Sequence, residues 1–98
     1  MENLDIIREK IDDIDKEIVK LFEERMNVVM KVAEYKQQNN IPILNQKREE
    51  EIINKNISRL KNKELKIPTK EFLQSLMSVS RKYQSKIIFD KYTNDYDK

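Results

Sequence analysis

From Leu4 to Tyr35 the apolar residues Leu4, Ile7, Ile11, Ile14, Ile18, Leu21, Val28, Val32 and Tyr35 follow an alternating spacing of three and four. This spacing keeps one face of an α-helix apolar, so the segment predicts a single helix of about 33 residues. At 1.5 Å per residue such a helix is roughly 50 Å long, whereas a compact domain of about 100 residues has a radius of gyration near 13 Å. One chain cannot cover that stripe alone, and a partner subunit is expected. Asn3 can cap the helix start through its side-chain oxygen, and pairs such as Asp12 with Lys16 give weak support on the outer face.

The chain contains no glycine and two prolines, Pro42 and Pro68, so it has few places to turn sharply and an all-α fold is expected. The segment 37–44 holds Asn39, Asn40 and Pro42, and the residue before a proline is pushed out of the α region, which ends the first helix. Asn45 is a good N-cap for a second helix from Gln46 to about Leu60, with Arg48, Glu49, Ile52, Ile53, Ile57 and Leu60 on its inner face. Residues 61–66 read as a charged connector. Pro68 and Thr69 then open a third helix to about Tyr92, with Phe72, Leu73, Leu76, Met77, Tyr83, Ile87 and Ile88 on one face. Residues 93–98 are expected to fray. No internal repeat or low-complexity segment divides the chain, so 1–98 reads as one domain.

Composition excludes much chemistry. At 98 residues the chain is small enough that a monomer buries only about 60 to 65% of its unfolded surface. Twenty Lys and Arg against 18 Asp and Glu leave a net charge of +2, no bulk reason to expect nucleic acid or an anionic membrane. With no Cys and no His, the thiolate nucleophile, the usual general base and the commonest metal ligands are absent. No metal and no cofactor are expected. The opening MENLDIIREK lacks the basic start and apolar run of a signal peptide, and no stretch reaches about 18 apolar residues, so a cytoplasmic protein is expected.

Polar residues interrupt each apolar stripe. In heptad lettering from Leu4 as position a, Arg25 falls on an a position, and Arg8 and Lys36 on bordering e positions. Any one of these alone reads as a register-setting or snorkelling charge. The second helix adds Arg48 and Glu49, and the third adds Ser80 and Gln84 in line with Leu73 and Met77. An uncompensated buried cation costs several kcal/mol, so four inward cations with one carboxylate call for an anionic ligand. Arginines suit bidentate carboxylate recognition, Glu49 can accept from a hydroxyl, and Ser80 and Gln84 are neutral donors. The set lacks an activated nucleophile and an acid and base pair, which leaves catalysis by positioning and electrostatics.

These residues in this order resemble the AroQ class of chorismate mutases, the all-helical family that converts chorismate to prephenate. The likeness runs from LDIIREKIDDIDKEIVKLFEER through KVAEYK and IPILNQKREEEII to SLMSVSRKYQ. It implies an intertwined homodimer of three-helix chains, a long first helix, a short second and a medium third, with each site completed by an arginine from the other protomer. By resemblance, Arg8 reaches the partner's site and Arg25 holds a carboxylate within its own chain. Lys36 donates to the ether oxygen of the breaking bond and to a carboxylate. Arg48 orders the site, Glu49 binds the ring hydroxyl, Ser80 contacts a carboxylate and Gln84 is the second donor to the ether oxygen. Asn45 stands where a well-known family member has Asp; it keeps the helix cap and its backbone N–H but loses any ion pair with Arg48. The implied reaction is pericyclic, without covalent intermediate or metal, and serves phenylalanine and tyrosine biosynthesis.

Other readings fit parts of the pattern. An isochorismate-pyruvate lyase on the same fold would use similar cations. A catalytically idle regulatory module could bind aromatic-pathway metabolites or a shikimate-pathway enzyme partner, but Arg25, Lys36, Arg48, Glu49 and Gln84 are all present. A simple coiled coil would keep its seam apolar through 25, 80 and 84, which this chain does not. A nucleic-acid binder would need a basic stripe with stacking aromatics, whereas acids and bases are interspersed here.

Overall fold

The computed structural model describes the backbone of residues 3–96 and the side chains of residues 3–88. Three α-helices follow one another: α1 (Leu4–Gln38), α2 (Gln46–Ser58) and α3 (Lys66–Tyr96), with a short 3-10 turn (Lys63–Leu65) before the last. Among the described residues there is no strand.

The Asn3 side chain accepts from the Ile6 N–H at 2.9 Å and caps α1 as its sequence suggests. The helix ends in a Schellman turn. Asn40 takes a left-handed φ of 54°, the Asn40 N–H returns to the Gln37 carbonyl at 3.4 Å, and the Ile41 N–H returns to the Lys36 carbonyl at 2.8 Å. Asparagine fills the place that glycine usually takes, because its short polar side chain tolerates that conformation better than other non-glycine residues. Pro42 follows the turn and prevents the helix from resuming.

Asn45 caps α2, accepting from the Arg48 N–H at 3.0 Å. The helix stops at Ser58, two residues before the expected Leu60. The expected connector at 61–66 contains order: the Asn62 side chain caps the 3-10 turn, which runs directly into α3 at Lys66. The third helix therefore begins before Pro68. The proline sits within its first turn, where backbone N–H groups have no intrahelical partner to lose. At the other end helix continues to Tyr96, past the expected stop at Tyr92, so the fraying expected over 93–98 is replaced by helix over 93–96; residues 97–98 lie outside the described residues.

The third helix packs against both α1 and α2. Only Ala33, Leu73 and Met77 are buried apolar residues among those described. The chain is elongated, with a radius of gyration of 17.6 Å and extents of 63 × 29 × 16 Å. Leu4, Ile7, Ile11, Ile14, Ile18 and Leu21 are all exposed, from 41% at Ile7 to 59% at Ile14. In the second half of α1 the residues turned inward are Met26, Val29, Met30 and Ala33, whereas Val28, Val32 and Tyr35 stay exposed. The inward face there is wider than the strict heptad seam, which drifts by about 20° per heptad around a straight helix.

Candidate active site

Each helix turns one short stripe toward a common cavity of about 290 Å³. From α1 come Arg25, Val28, Val29, Val32 and Lys36; from α2 and its cap, Asn45, Arg48, Glu49 and Ile52; from α3, Met77, Ser80, Arg81 and Gln84. The α2 and α3 sets follow the offsets 0, 3, 4 and 7 that place side chains on one helical face. Ile43 closes the wall from the turn after α1. The exposed valines Val28 and Val32 thus face this cavity, where they help to exclude water beside the charged groups.

All the residues singled out in the sequence, except Arg8, line this one cavity. Arg8 is exposed on the first third of α1 and is not part of this chain's cavity wall.

The half-buried Arg25 donates from Nη1 to the Ser80 hydroxyl at 2.7 Å, joining α1 to α3. Ser80, 4% exposed, gives its own proton back along the helix to the Leu76 carbonyl at 2.8 Å. Its hydroxyl is therefore an acceptor for Arg25 in this state; to contact a carboxylate as a donor it must rotate away from Leu76. Lys36 sends Nζ to the Ile43 carbonyl at 2.7 Å, which occupies one of its three protons. The same residue accepts from Ile41 through its backbone carbonyl, so it grips the turn from both ends.

Gln84 is 7% exposed, and its Oε1 is buried with no hydrogen-bond partner. An unmet buried polar atom costs about 1 to 3 kcal/mol, so this amide is set for a group supplied from outside the chain. Rotation of the amide about its last bond puts either the oxygen or the NH₂ in that place.

One placement differs from the inward reading of α2, and another gains a partner. Arg48 has a side chain 60% exposed and sits 3.8 Å from Glu51, so it borders the cavity mouth. One turn of charged helix at the open end needs no burial. Glu49 does not stand alone: it accepts a hydrogen bond and ion pair from Arg81. Arg81 is the charged cavity residue that the set drawn from the sequence lacks. Its signal was available, since Arg81 lies four residues after Met77 and three before Gln84, on the same stripe.

The lining holds four cations, Arg25, Lys36, Arg48 and Arg81, against one carboxylate, Glu49. Such a wall suits a small polyanion with at least one hydroxyl, and its apolar floor suits a carbocyclic body. Among the described residues no group of side chains could hold a metal ion, and no helix is long and apolar enough to cross a membrane.

Comparison with known proteins points the same way. A bifunctional chorismate mutase/prephenate dehydratase of Buchnera aphidicola is 46% identical over 50 residues, 51% of this chain and 13% of that protein. The protein of the same description from Aquifex aeolicus is 45% identical over 65 residues, 66% of this chain and 17% of that protein. A chorismate mutase of Methanocaldococcus jannaschii is 48% identical over 52 residues, 53% of this chain and 52% of that protein. The matches therefore span about half of the archaeal relative and a small part of the bifunctional ones. No solved structure matches the chain significantly. The family described as chorismate mutase type II matches residues 7–85, a span that takes in Arg8 and every residue of the cavity wall, and this chain belongs to that family.

Proposed function

We propose that this chain is an isomerase that rearranges chorismate to prephenate, working as a homodimer. The observation that carries this reading is the convergence of Arg25, Lys36, Arg48, Glu49, Ser80 and Gln84, from three helices, on one cavity of about 290 Å³. The substrate has two carboxylates, a ring hydroxyl and an ether oxygen. The cavity offers cations for the first, a carboxylate for the second and neutral or cationic donors for the third.

The rearrangement breaks one C–O bond and forms one C–C bond within a single molecule, so the protein has no proton to transfer and no intermediate to hold covalently. Its tasks are to select the compact conformer in which the ends meet and to stabilise charge as the ether oxygen becomes negative. Arg25 and Arg48 clamp carboxylates, and Glu49 accepts from the ring hydroxyl. Lys36 and Gln84 are the donors to the ether oxygen, and Asn45 holds the start of α2 in place. The unpartnered Gln84 Oε1 supports this assignment, because a flip of the amide about its last bond puts the NH₂ at that buried position, where a ligand acceptor meets it. A rate gain of about 10⁶ requires roughly 8 kcal/mol, which orientation and two aimed donors can supply together.

The dimer reading follows from the uncovered α1 stripe. Fully burying a Leu or Ile side chain is worth about 1.5 to 3 kcal/mol, and a second copy brings an identical stripe. Arg8 lies on that stripe's border and is assigned to the partner's cavity, where it supplies a further carboxylate contact.

The test is loss of chorismate absorbance on addition of the purified chain, with the product identified as prephenate. Unchanged chorismate overturns the reading; release of pyruvate from isochorismate instead would assign the cavity to the lyase reaction.

A further inference from the structure

Arg81 has no part in the roles assigned above, yet it stands on the cavity face of α3 beside Ser80 and donates to Glu49 Oε1 across the gap to α2. Both side chains are half-buried, at 33% and 22% exposure for Arg81 and Glu49. We infer that Arg81 is a positioning residue that holds the Glu49 carboxylate aimed at the ring hydroxyl, and so sets the preference for a hydroxylated ring. This inference rests on the chorismate reading.

Glu49 presents an electrostatic difficulty. A carboxylate placed against a doubly negative ligand repels it, and the repulsion grows as water is excluded. Arg81 removes most of that cost by pairing with Glu49 from the α3 side. The pairing leaves Glu49 able to accept, because Arg81 engages Oε1 while Oε2 keeps its lone pairs. An ionised acceptor also makes a stronger hydrogen bond to a hydroxyl than a neutral one does.

The position of the pair gives Arg81 a second effect. Glu49, Arg81 and Met77 border both the substrate cavity and a neighbouring cavity of about 330 Å³, whose other walls include the polar Gln46, Glu50 and Gln74. The ion pair therefore stands in the partition between the two. Without Arg81, the Glu49 carboxylate can swing into the neighbouring cavity, where water can solvate it, and its aim at the ring hydroxyl is lost.

A bridge that only ties α2 to α3 would affect stability but not discrimination between substrates. The experiment therefore compares kcat and KM for chorismate and for the analogue with hydrogen in place of the ring hydroxyl, using wild type, Arg81→Met, Glu49→Ala and the double variant. Wild type is expected to favour chorismate in kcat/KM by about tenfold or more. Arg81→Met should lose most of that preference, chiefly through KM, and should add little to Glu49→Ala. Arg81→Lys, which keeps the charge but not the fork, should recover part of it. If Arg81→Met does not fold, Arg81→Lys carries the same comparison, with an intermediate preference expected. Full retention of the preference in a folded Arg81 variant would overturn the inference and leave a structural bridge. A wild type that consumes chorismate without distinguishing the analogue also overturns it alone, whereas a wild type that consumes no chorismate overturns the underlying reading.

Discussion

Arg25 and Ser80, 55 residues apart in sequence, meet across α1 and α3 with the guanidinium Nη1 2.7 Å from the hydroxyl oxygen. Ser80 is itself satisfied by Leu76, so it holds Arg25 in place as a passive acceptor. Ser80→Ala should leave one guanidinium N–H without its acceptor, a loss of about 1 to 3 kcal/mol shared between stability and ligand binding. Steady-state kinetics should show KM for chorismate raised by about tenfold with kcat little changed, whereas Arg25→Ala should lower kcat/KM by about a hundredfold or more.

Gln84 is neutral and keeps its amide donor at every working pH. Gln84→Glu preserves size but places a carboxylate, of reference pKa about 4.3, where a donor is needed. The ionised form has no proton to give and repels the developing charge on the ether oxygen. The variant should be impaired at neutral pH and should regain kcat/KM as pH falls toward about 5 and the carboxyl gains its proton, while wild type changes much less. Equal activity at both ends of that range, with the fold intact, would make Gln84 a structural residue.

Ile14, exposed at 59% in the single chain, belongs to the stripe assigned to the partner. Ile14→Glu leaves the buried residues Ala33, Leu73 and Met77 unchanged. It should nonetheless weaken association by burying an unpaired charge, so that sedimentation finds smaller species and chorismate turnover falls with them. A folded, fully active monomer of the wild-type chain at micromolar concentration would refute the dimer reading.

Arg8 and Arg48 offer a test of contribution across the dimer. Chains carrying Arg8→Ala and chains carrying Arg48→Ala, unfolded together and refolded, pair at random. About half of the dimers are then mixed, each with one intact site, which predicts about a quarter of wild-type activity. No recovery despite mixed dimers confirmed by mass would place Arg8 outside the partner's site.

Much of the helix layout was legible because its signals are local. Asn3 and Asn45 cap α1 and α2, and each lies at the boundary its chemistry suggests. The start of α3 was harder to read: Pro68 looks like an opening residue, but a proline is also tolerated deeper in a first turn, and Asn62 had already started the chain winding. The second half of α1 was legible in part: Val28 and Val32 of the stripe line the cavity with Arg25 and Lys36, but Met30 and Ala33, which heptad lettering leaves off the seam, turn inward beside them. The candidate site was legible where polar residues broke apolar stripes. Arg81 escaped because a basic residue beside another site residue looks like outer-face charge until the stripe through Met77 and Gln84 is followed. The Ile43 carbonyl carried no signal, because every residue has one and only the turn decides where it points.

Surface turns are ordinarily where a chain accepts extra residues between relatives. The turn after α1 is a poor place for that. Lys36 holds Ile41 through its carbonyl and Ile43 through its ammonium, and Asn45 starts the next helix two residues later. One inserted residue would carry the Ile43 carbonyl out of reach and release the ammonium that is assigned to the ether oxygen. On that assignment the length of this loop governs reaction rate, and an insertion there is expected to register as lost turnover before it registers as lost fold.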